Sequence, residues 1–385
     1  MSRGDELDFN DKVIENSVCK LLGHDVQLID WEPSPIHWSP SNEVTDGLWQ
    51  MSGTASRGAG SISWSMVIKT VKPVKSHSDA SHYNYWKREV LAYQSGVTDC
   101  LPDSVRAPRC LMLEERPEGT VRLWLERIVD VSPGSWSMTH YARAARALGR
   151  FNGVYLSGRP LPDYASLSRS WMRSWVTECM KYVGKACLEL DTWGNPYLRA
   201  LTHAKTRQRF ERLLHQRDHL ITTLECLPRV FCHNDAWRPN LFLPETDARQ
   251  MAMIDWAFCG IGGVGEELGR FFGLTLHVND MTQTDATSLM DTLFESYLDG
   301  LTYEGWHGDS RVVRFGFAAS AALRAVMVIP RLVNLAVNLN AAVVSGHEND
   351  NQQLQKIVGF ANIAGILLDL ADEAYSLSDS DRLRV

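Results

Sequence analysis

Between residues 62 and 71 the chain alternates. Ile62, Trp64, Met66 and Ile68 fall on one side of an extended backbone, and Ser63, Ser65, Val67 and Lys69 on the other. This predicts a strand paired to residues 48–56 through a turn at Gly58, Ala59 and Gly60, with Lys69 pointing away from the packed face. Residues 11–22 have the pattern of a short helix. Residues 79–93 predict another, with Tyr85, Trp86, Val90 and Tyr93 as its apolar stripe. Glu89 falls inside that stripe, where a carboxylate needs a cationic partner. Lys69 is the nearest candidate on a facing element, and an exposed pairing with Lys87 or Arg88 is the plainer reading. Beyond Pro133 the pattern turns helical, over residues 141–155, 170–188, 204–224, 286–301, 311–339 and 351–374. A short strand-rich patch at 230–258 interrupts it. A β-rich part followed by a larger helical part predicts an α+β fold of two lobes.

Composition narrows the class. With 385 residues, 44% hydrophobic and 22% charged, the chain is globular rather than fibrous or mainly disordered. A formal net charge of -7 without a basic block argues against nucleic acid as a main partner. The opening MSRGDELDFN carries charge where a secretory signal needs an apolar core, so a cytoplasmic protein is expected. The most apolar stretch, 315–344, is interrupted by Arg324, Pro330 and Arg331 and reads as buried helix, not as a membrane span. The eight cysteines never form a C-x-x-C pair, which predicts reduced thiols and neither a zinc site nor a disulfide framework.

The chemistry concentrates in two segments. Residues 230–243, VFCHNDAWRPNLFL, set His233, Asp235 and Asn240 in the pattern H-x-D-x-x-x-x-N, and residues 251–258, MAMIDWAF, carry Asp255 among apolar neighbours. Two acids and an amide on adjoining turns can converge. One carboxylate can orient a hydroxyl nucleophile while the other, with the amide, holds a divalent metal. Such a set suits phosphoryl transfer.

In the order strand lysine, helix glutamate, H-x-D-x-x-x-x-N loop and later I-D-W strand, the chain resembles the aminoglycoside phosphotransferase and choline kinase family, which shares the protein-kinase-like fold. The resemblance covers roughly residues 48–272. It implies that Lys69 contacts the α- and β-phosphates of ATP or GTP and is held by Glu89. Asp235 would take or orient the acceptor's hydroxyl proton, His233 would brace the loop, and Asn240 and Asp255 would bind Mg2+. The segment LWLERI, 123–128, looks like the interlobe linker, whose backbone from Glu126 to Ile128 would meet the purine. Residues 1–125 would then form the nucleotide-binding lobe, 126–135 the linker, and 136–385 the helical lobe with the catalytic loop and substrate site. Glu266 or Glu267 would steady the catalytic loop. The implied activity is a small-molecule kinase with an antibiotic-type hydroxyl compound as leading acceptor, and a choline- or ethanolamine-type amino alcohol or a sugar as alternative. A non-catalytic nucleotide-binding protein on the same fold is the rival of another class.

Other signals weigh less. Residues 260–265 read G-x-G-x-x-G, yet the polar stretch 273–288 offers no second strand ending in an acid, so a flexible loop is preferred to a dinucleotide site. His215 and His219 sit four apart on a charged helix and read as a solvated face. No G-x-x-x-x-G-K-[ST] loop occurs, and Asp255 is followed by Trp-Ala rather than Phe-Gly, which disfavours P-loop and protein kinases. The acids of 279–299 would steer a cationic acceptor if they faced the cleft.

Overall fold

The computed structural model describes residues 9–37, 43–58, 60–130, 136–243, 250–278, 283–344 and 351–379. Ala59 of the expected hairpin turn, 131–135 of the expected linker and 279–282 of the acidic stretch lie outside them.

Helix α1, Asp11–Leu22, starts where the Asn10 side chain accepts from the Lys12 N–H and stops at Gly23, whose φ of 75° a residue with a Cβ rarely adopts. Strands β1 (Gln27–Pro35), β2 (Thr45–Arg57) and β3 (Gly60–Val71) follow. Helix α2 (Arg88–Gln94) then leads to β4 (Val105–Arg106), β5 (Cys110–Glu115) and β6 (Val121–Glu126). Among the described residues, an antiparallel sheet runs in the order β1-β2-β3-β6-β5. Ile14 and Val18 of α1 bury one face of it, against Met51, Ala55, Trp64, Met66 and Ile68. The two-residue period of β3 therefore leaves Val67 and Lys69 on the opposite face.

Helix α2 is shorter than the 79–93 pattern predicts. The fully buried Arg88 guanidinium donates to the carbonyls of Ala80, His82 and Tyr83, so this segment forms successive turns around it instead of a helical ladder. Glu89 lies in the first turn of the remaining helix and is buried, as its place in the stripe requires.

The helical part opens with α3 (Met138–Leu156), α4 (Trp171–Cys179), α5 (Leu190–Trp193), α6 (Pro196–Leu201) and α7 (Thr206–Cys226). The expected helix over 170–188 ends at Cys179 and continues as tight turns, because Val183 and Gly184 adopt extended ψ angles of 83° and 167°. Short strands β7 (Arg229–Cys232), β8 (Leu241–Phe242), β9 (Met251–Met253) and β10 (Gly260–Gly263) carry the strand-rich patch. The chain closes with α8 (Glu266–Val278), α9 (Gln283–Tyr303), α10 (Ser310–Ala322), α11 (Ala325–Val344) and α12 (Asn351–Ser378). The predicted helix 311–339 is thus two helices, broken at Leu323 and Arg324. The spans Ser310–Ala342 and Asn351–Ser378 are long and apolar enough to cross a membrane, but the first is mostly buried within the helical part.

Helices α3 and α9 cross at Gly149 and Gly300. A Cβ on Gly149 would lie 2.1 Å from the Tyr297 carbonyl oxygen, so the contact requires a bare backbone. This close packing brings α3, α8 and α9 together behind β7.

Candidate active site

Lys69 leaves the unpacked face of β3 and meets two carboxylates: Glu89 Oε2 of α2 at 2.6 Å and Asp255 Oδ1 at 2.7 Å. Burial by itself would lower the Lys69 pKa, but Asp255 and Glu89 outweigh it and hold the ammonium above the ordinary lysine range. Burial pushes Glu89 up, partly offset by Lys69. Burial also opposes ionisation of Asp255, yet the charge and hydrogen bond of Lys69 keep its carboxyl below the usual carboxylate range. Asp255 sits just past β9 at φ 64°, a left-handed turn that Asp tolerates better than most residues. Glu89 Oε1 also accepts the Trp256 N–H at 3.2 Å, which ties α2 to this turn.

The catalytic-loop residues sit between β7 and β8. His233 is fully buried, and burial depresses its pKa to about 4. Its Nδ1 accepts the Asp235 N–H at 3.2 Å and its Nε2 donates to the Ile254 carbonyl at 2.9 Å. The imidazole is therefore neutral and joins the loop to the Asp255 turn. It is a positioning residue, since neither ring nitrogen is left for a reactant. Asp235 is partly exposed, with Oδ1 3.1 Å from Arg270 Nη2 and Oδ2 accepting from Asn240 Nδ2 at 2.8 Å. Burial raises its pKa against the pull of Arg270. With Nδ2 of Asn240 spent on Asp235, its Oδ1 has no partner among the described residues. Asn240 and Asp255 both line the cleft that holds Lys69.

That cleft is a cavity of about 750 Å³ between the sheet and the loop strands. Leu48, Val67 and Leu125 cover it from the sheet, and Trp237, Phe242 and Ile254 from the other side. Glu126, Arg127 and Ile128 form one edge. The Glu126 carboxylate is taken by Arg106 at 3.1 Å and by the Arg109 N–H, and its own N–H by the Arg109 carbonyl, so its side chain anchors the strand end. The Ile128 N–H has no protein acceptor among the described residues.

One reading is narrowed to a single residue, and three further contributors, Asn152, Arg270 and Arg238, carry no distinctive signal in the sequence. Glu267, rather than Glu266, reaches the loop: its Oε1 accepts the N–H groups of His233 at 2.7 Å and Asn234 at 2.9 Å. Glu266 turns back to β10 instead, where it accepts the Gly263 N–H at 2.9 Å. Asn152 of α3 donates to the Phe231 carbonyl and accepts from Tyr297 of α9, which fixes β7 from behind. Arg270 of α8 donates to the Asn234 carbonyl as well as pairing with Asp235. Arg238, inside the loop, pairs with Asp130 at 2.6 Å.

The geometry bears on two further readings. Asp285, Asp291, Glu295 and Asp299 lie on the exposed face of α9, and none of them lines the cleft that holds Lys69. The stretch 260–265 is no loose loop at its start: β10 pairs antiparallel with β7, and this excludes the parallel strand-to-helix unit of a dinucleotide site.

The profile of the phosphotransferase enzyme family matches residues 94–308, from the end of α2 to the loop after α9. No curated protein matches the chain significantly. Among solved structures, an amicoumacin kinase in complex with AMP-PNP and Ca2+ is similar at 10% identity and a TM-score of 0.53, covering 94% of each chain. An aminoglycoside phosphotransferase from Alicyclobacillus acidocaldarius is similar at 10% identity and a TM-score of 0.52, covering 97% of this chain and 99% of that one. A choline kinase from Cryptosporidium parvum follows at 11% identity and 0.50, covering 92% and 91%. At these identities the likeness is one of fold, and that fold is the protein-kinase-like one expected from the motif order.

Proposed function

The chain belongs to the phosphotransferase enzyme family and is a small-molecule kinase that transfers phosphate to a hydroxyl, and from that premise we propose how its residues divide the work. The donor is ATP or GTP, taken up in the 750 Å³ cleft. Its purine meets the Glu126 carbonyl and the Ile128 N–H. Lys69, held by Glu89, contacts the α- and β-phosphates. Residues 1–125 serve as the nucleotide lobe, 126–135 as the linker and 136–385 as the helical lobe with the acceptor site.

The donor set fits Mg2+. Asp255 offers a hard anionic oxygen, and the Asn240 Nδ2 bond to Asp235 leaves that amide's Oδ1 without a protein partner among the described residues. Two protein ligands suit a cation that keeps waters and shares phosphate oxygens. When bound, Mg2+ would neutralise charge on the β- and γ-phosphates. Asp235 orients the acceptor hydroxyl and takes its proton as the oxygen attacks the γ-phosphorus. The bond from that phosphorus to the bridging oxygen breaks, and the nucleoside diphosphate leaves. Asp235 is suited to this role because burial raises its basicity while Arg270 and Asn240 fix both of its oxygens.

The observation that carries this reading is the meeting of Lys69 with Asp255, 186 positions apart in sequence, in the same cleft as Asn240. Mere packing has no use for that cluster of charges, which also weighs against a non-catalytic nucleotide binder. For the acceptor we carry forward a polyhydroxylated natural product of antibiotic type, with amino alcohols and sugars as competitors. A cytoplasmic setting fits the eight unpaired thiols, Cys19 to Cys259. The test is a panel of hydroxyl compounds incubated with Mg-ATP and Mg-GTP, read by the mass of phosphorylated products. One class turned over far faster than the rest is expected. Phosphorylation of a protein substrate with no small-molecule turnover would overturn the reading.

A further inference from the structure

Beside Asp235 the helical part buries more positive charge than it can neutralise. Arg270 is 5% exposed and Arg324 is 2% exposed. Both guanidiniums lie near the Trp175 ring, their carbons 5.6 Å and 5.5 Å from its centroid, and Arg270 also stacks on Trp171 at 4.0 Å. Asp235 is the one carboxylate paired with either of them among the described residues.

Arg324 is the anomaly. No hydrogen bond or ion pair engages its side chain among the described residues, and its Nε is buried without an acceptor, as is Nη1 of Arg270. Arg88 shows how this protein treats a structural buried arginine: its Nε is also without an acceptor, but its two Nη groups donate to three carbonyl oxygens. Arg324 has none. Burial, reinforced by the charge of Arg270, lowers its pKa to about 9, the mark of a cation lacking a counter-charge.

The position is also built. Arg324 stands at the break between α10 and α11 and passes over α8 at Gly273, one turn beyond Arg270. A Cβ on Gly273 would come 2.4 Å from Arg324 Cδ, so the missing side chain is what admits the arginine to this face. Two adjoining guanidiniums with free donors, walled by tryptophans, match the planar oxygens of a carboxylate or the oxygens of a phosphate ester.

We propose that the acceptor carries an oxyanion, a carboxylate or a phosphate ester, which docks on Arg324 and Arg270 while its hydroxyl faces Asp235. This rests on the phosphoryl-transfer reading above and sharpens it: polycationic compounds and choline-type amino alcohols are disfavoured, and anionic polyols or acidic natural products are favoured. Arg324 is then a specificity residue for the acceptor and takes no part in holding the nucleotide.

The test uses the full chain saturated with Mg-AMP-PNP and titrated with inorganic phosphate, acetate, D-glycerate, glycerol or choline, followed by calorimetry and tryptophan fluorescence. Phosphate or a carboxylate is expected to bind below about 10 mM, and glycerol and choline to bind far more weakly. Arg324→Gln should weaken the anion at least about tenfold and leave the Mg-AMP-PNP affinity unchanged. Gly273→Ala should weaken the anion too, by displacing Arg324 without altering charge. Removing an unpaired buried cation should also raise the melting temperature of the free protein. Phosphate binding against acetate and glycerate binding decides between the two oxyanions.

Failure of every anion to bind, or anion binding indifferent to Arg324→Gln, would overturn the proposal. So would a loss of Mg-AMP-PNP affinity in Arg324→Gln, which would assign the arginine to the donor phosphates. A lowered melting temperature with unchanged anion binding would make Arg324 structural. If Mg-AMP-PNP itself does not bind the wild type, the kinase reading falls first, and that result is distinct from the loss of the anion site alone.

Discussion

Replacing Glu267 with alanine takes the acceptor from two buried backbone donors, the N–H groups of His233 at 2.7 Å and Asn234 at 2.9 Å. Each orphaned donor costs about 1–3 kcal/mol, so Glu267→Ala is expected to destabilise the protein by about 2–6 kcal/mol. Turnover should fall as well, because these residues lead directly into Asp235. Glutamine keeps an oxygen in the same place and should restore most of the stability. The two variants also separate in pH dependence. Burial raises the Glu267 carboxyl from an ordinary 4.5 to about 7, against the pull of the Asn234 and His233 N–H groups. Between those values the folded protein holds a proton that the unfolded chain has released, so this contribution to stability is complete below the lower value and is lost as pH rises through the upper one. At about 1.4 kcal/mol per pH unit, the interval corresponds to about 3 kcal/mol. Glutamine has no proton to exchange. Urea unfolding followed by tryptophan fluorescence should therefore show wild type gaining about 3 kcal/mol relative to Glu267→Gln when pH drops across this range. A difference that stays flat with pH, or a glutamine variant as unstable as the alanine one, would refute this account of how the loop is held.

Lys69→Met should raise the KM for nucleotide or cut kcat, and Glu89→Gln should do part of the same damage by releasing the lysine; steady-state kinetics on both variants checks this. Asp255→Ala and Asn240→Ala should each weaken nucleotide binding only when Mg2+ is present, so titrations with and without the metal that give identical losses would move the metal site elsewhere. Gly149→Ala forces a methyl group to within 2.1 Å of the Tyr297 carbonyl oxygen. It should destabilise the α3–α9 contact by about 1–3 kcal/mol, visible as a lower melting temperature.

Much of the nucleotide side was legible from local pattern. The alternation along β3 put Lys69 opposite the packed face, and the misplaced acid in the apolar stripe of α2 pointed to its pairing with Lys69, seen at 2.6 Å. The short helix read over residues 11–22 is α1, Asp11–Leu22. Tertiary context hid the rest. Residues 79–87 keep a helical stripe, but the demand of a buried guanidinium for carbonyl partners overrides it. Glu266 and Glu267 are equivalent in sequence, and only the rotation of α8 decides which one faces the loop. Arg270 carries no local signal, and Arg324 reads only as an interruption of a buried apolar stretch, because nothing local records that the two side chains meet beside Trp175. The acids of α9 make the same point: their sign is readable in the sequence, the face they occupy is not.

Asp235→Asn tests most directly whether Asp235 is the group that takes the hydroxyl proton. The amide keeps the shape and one acceptor oxygen but cannot serve as a base at neutral pH. Calorimetry should show Mg-AMP-PNP binding as in the wild type, while kcat with the best acceptor from the panel falls about 100- to 10,000-fold. A variant that binds nucleotide normally and retains near wild-type kcat would contradict the assignment.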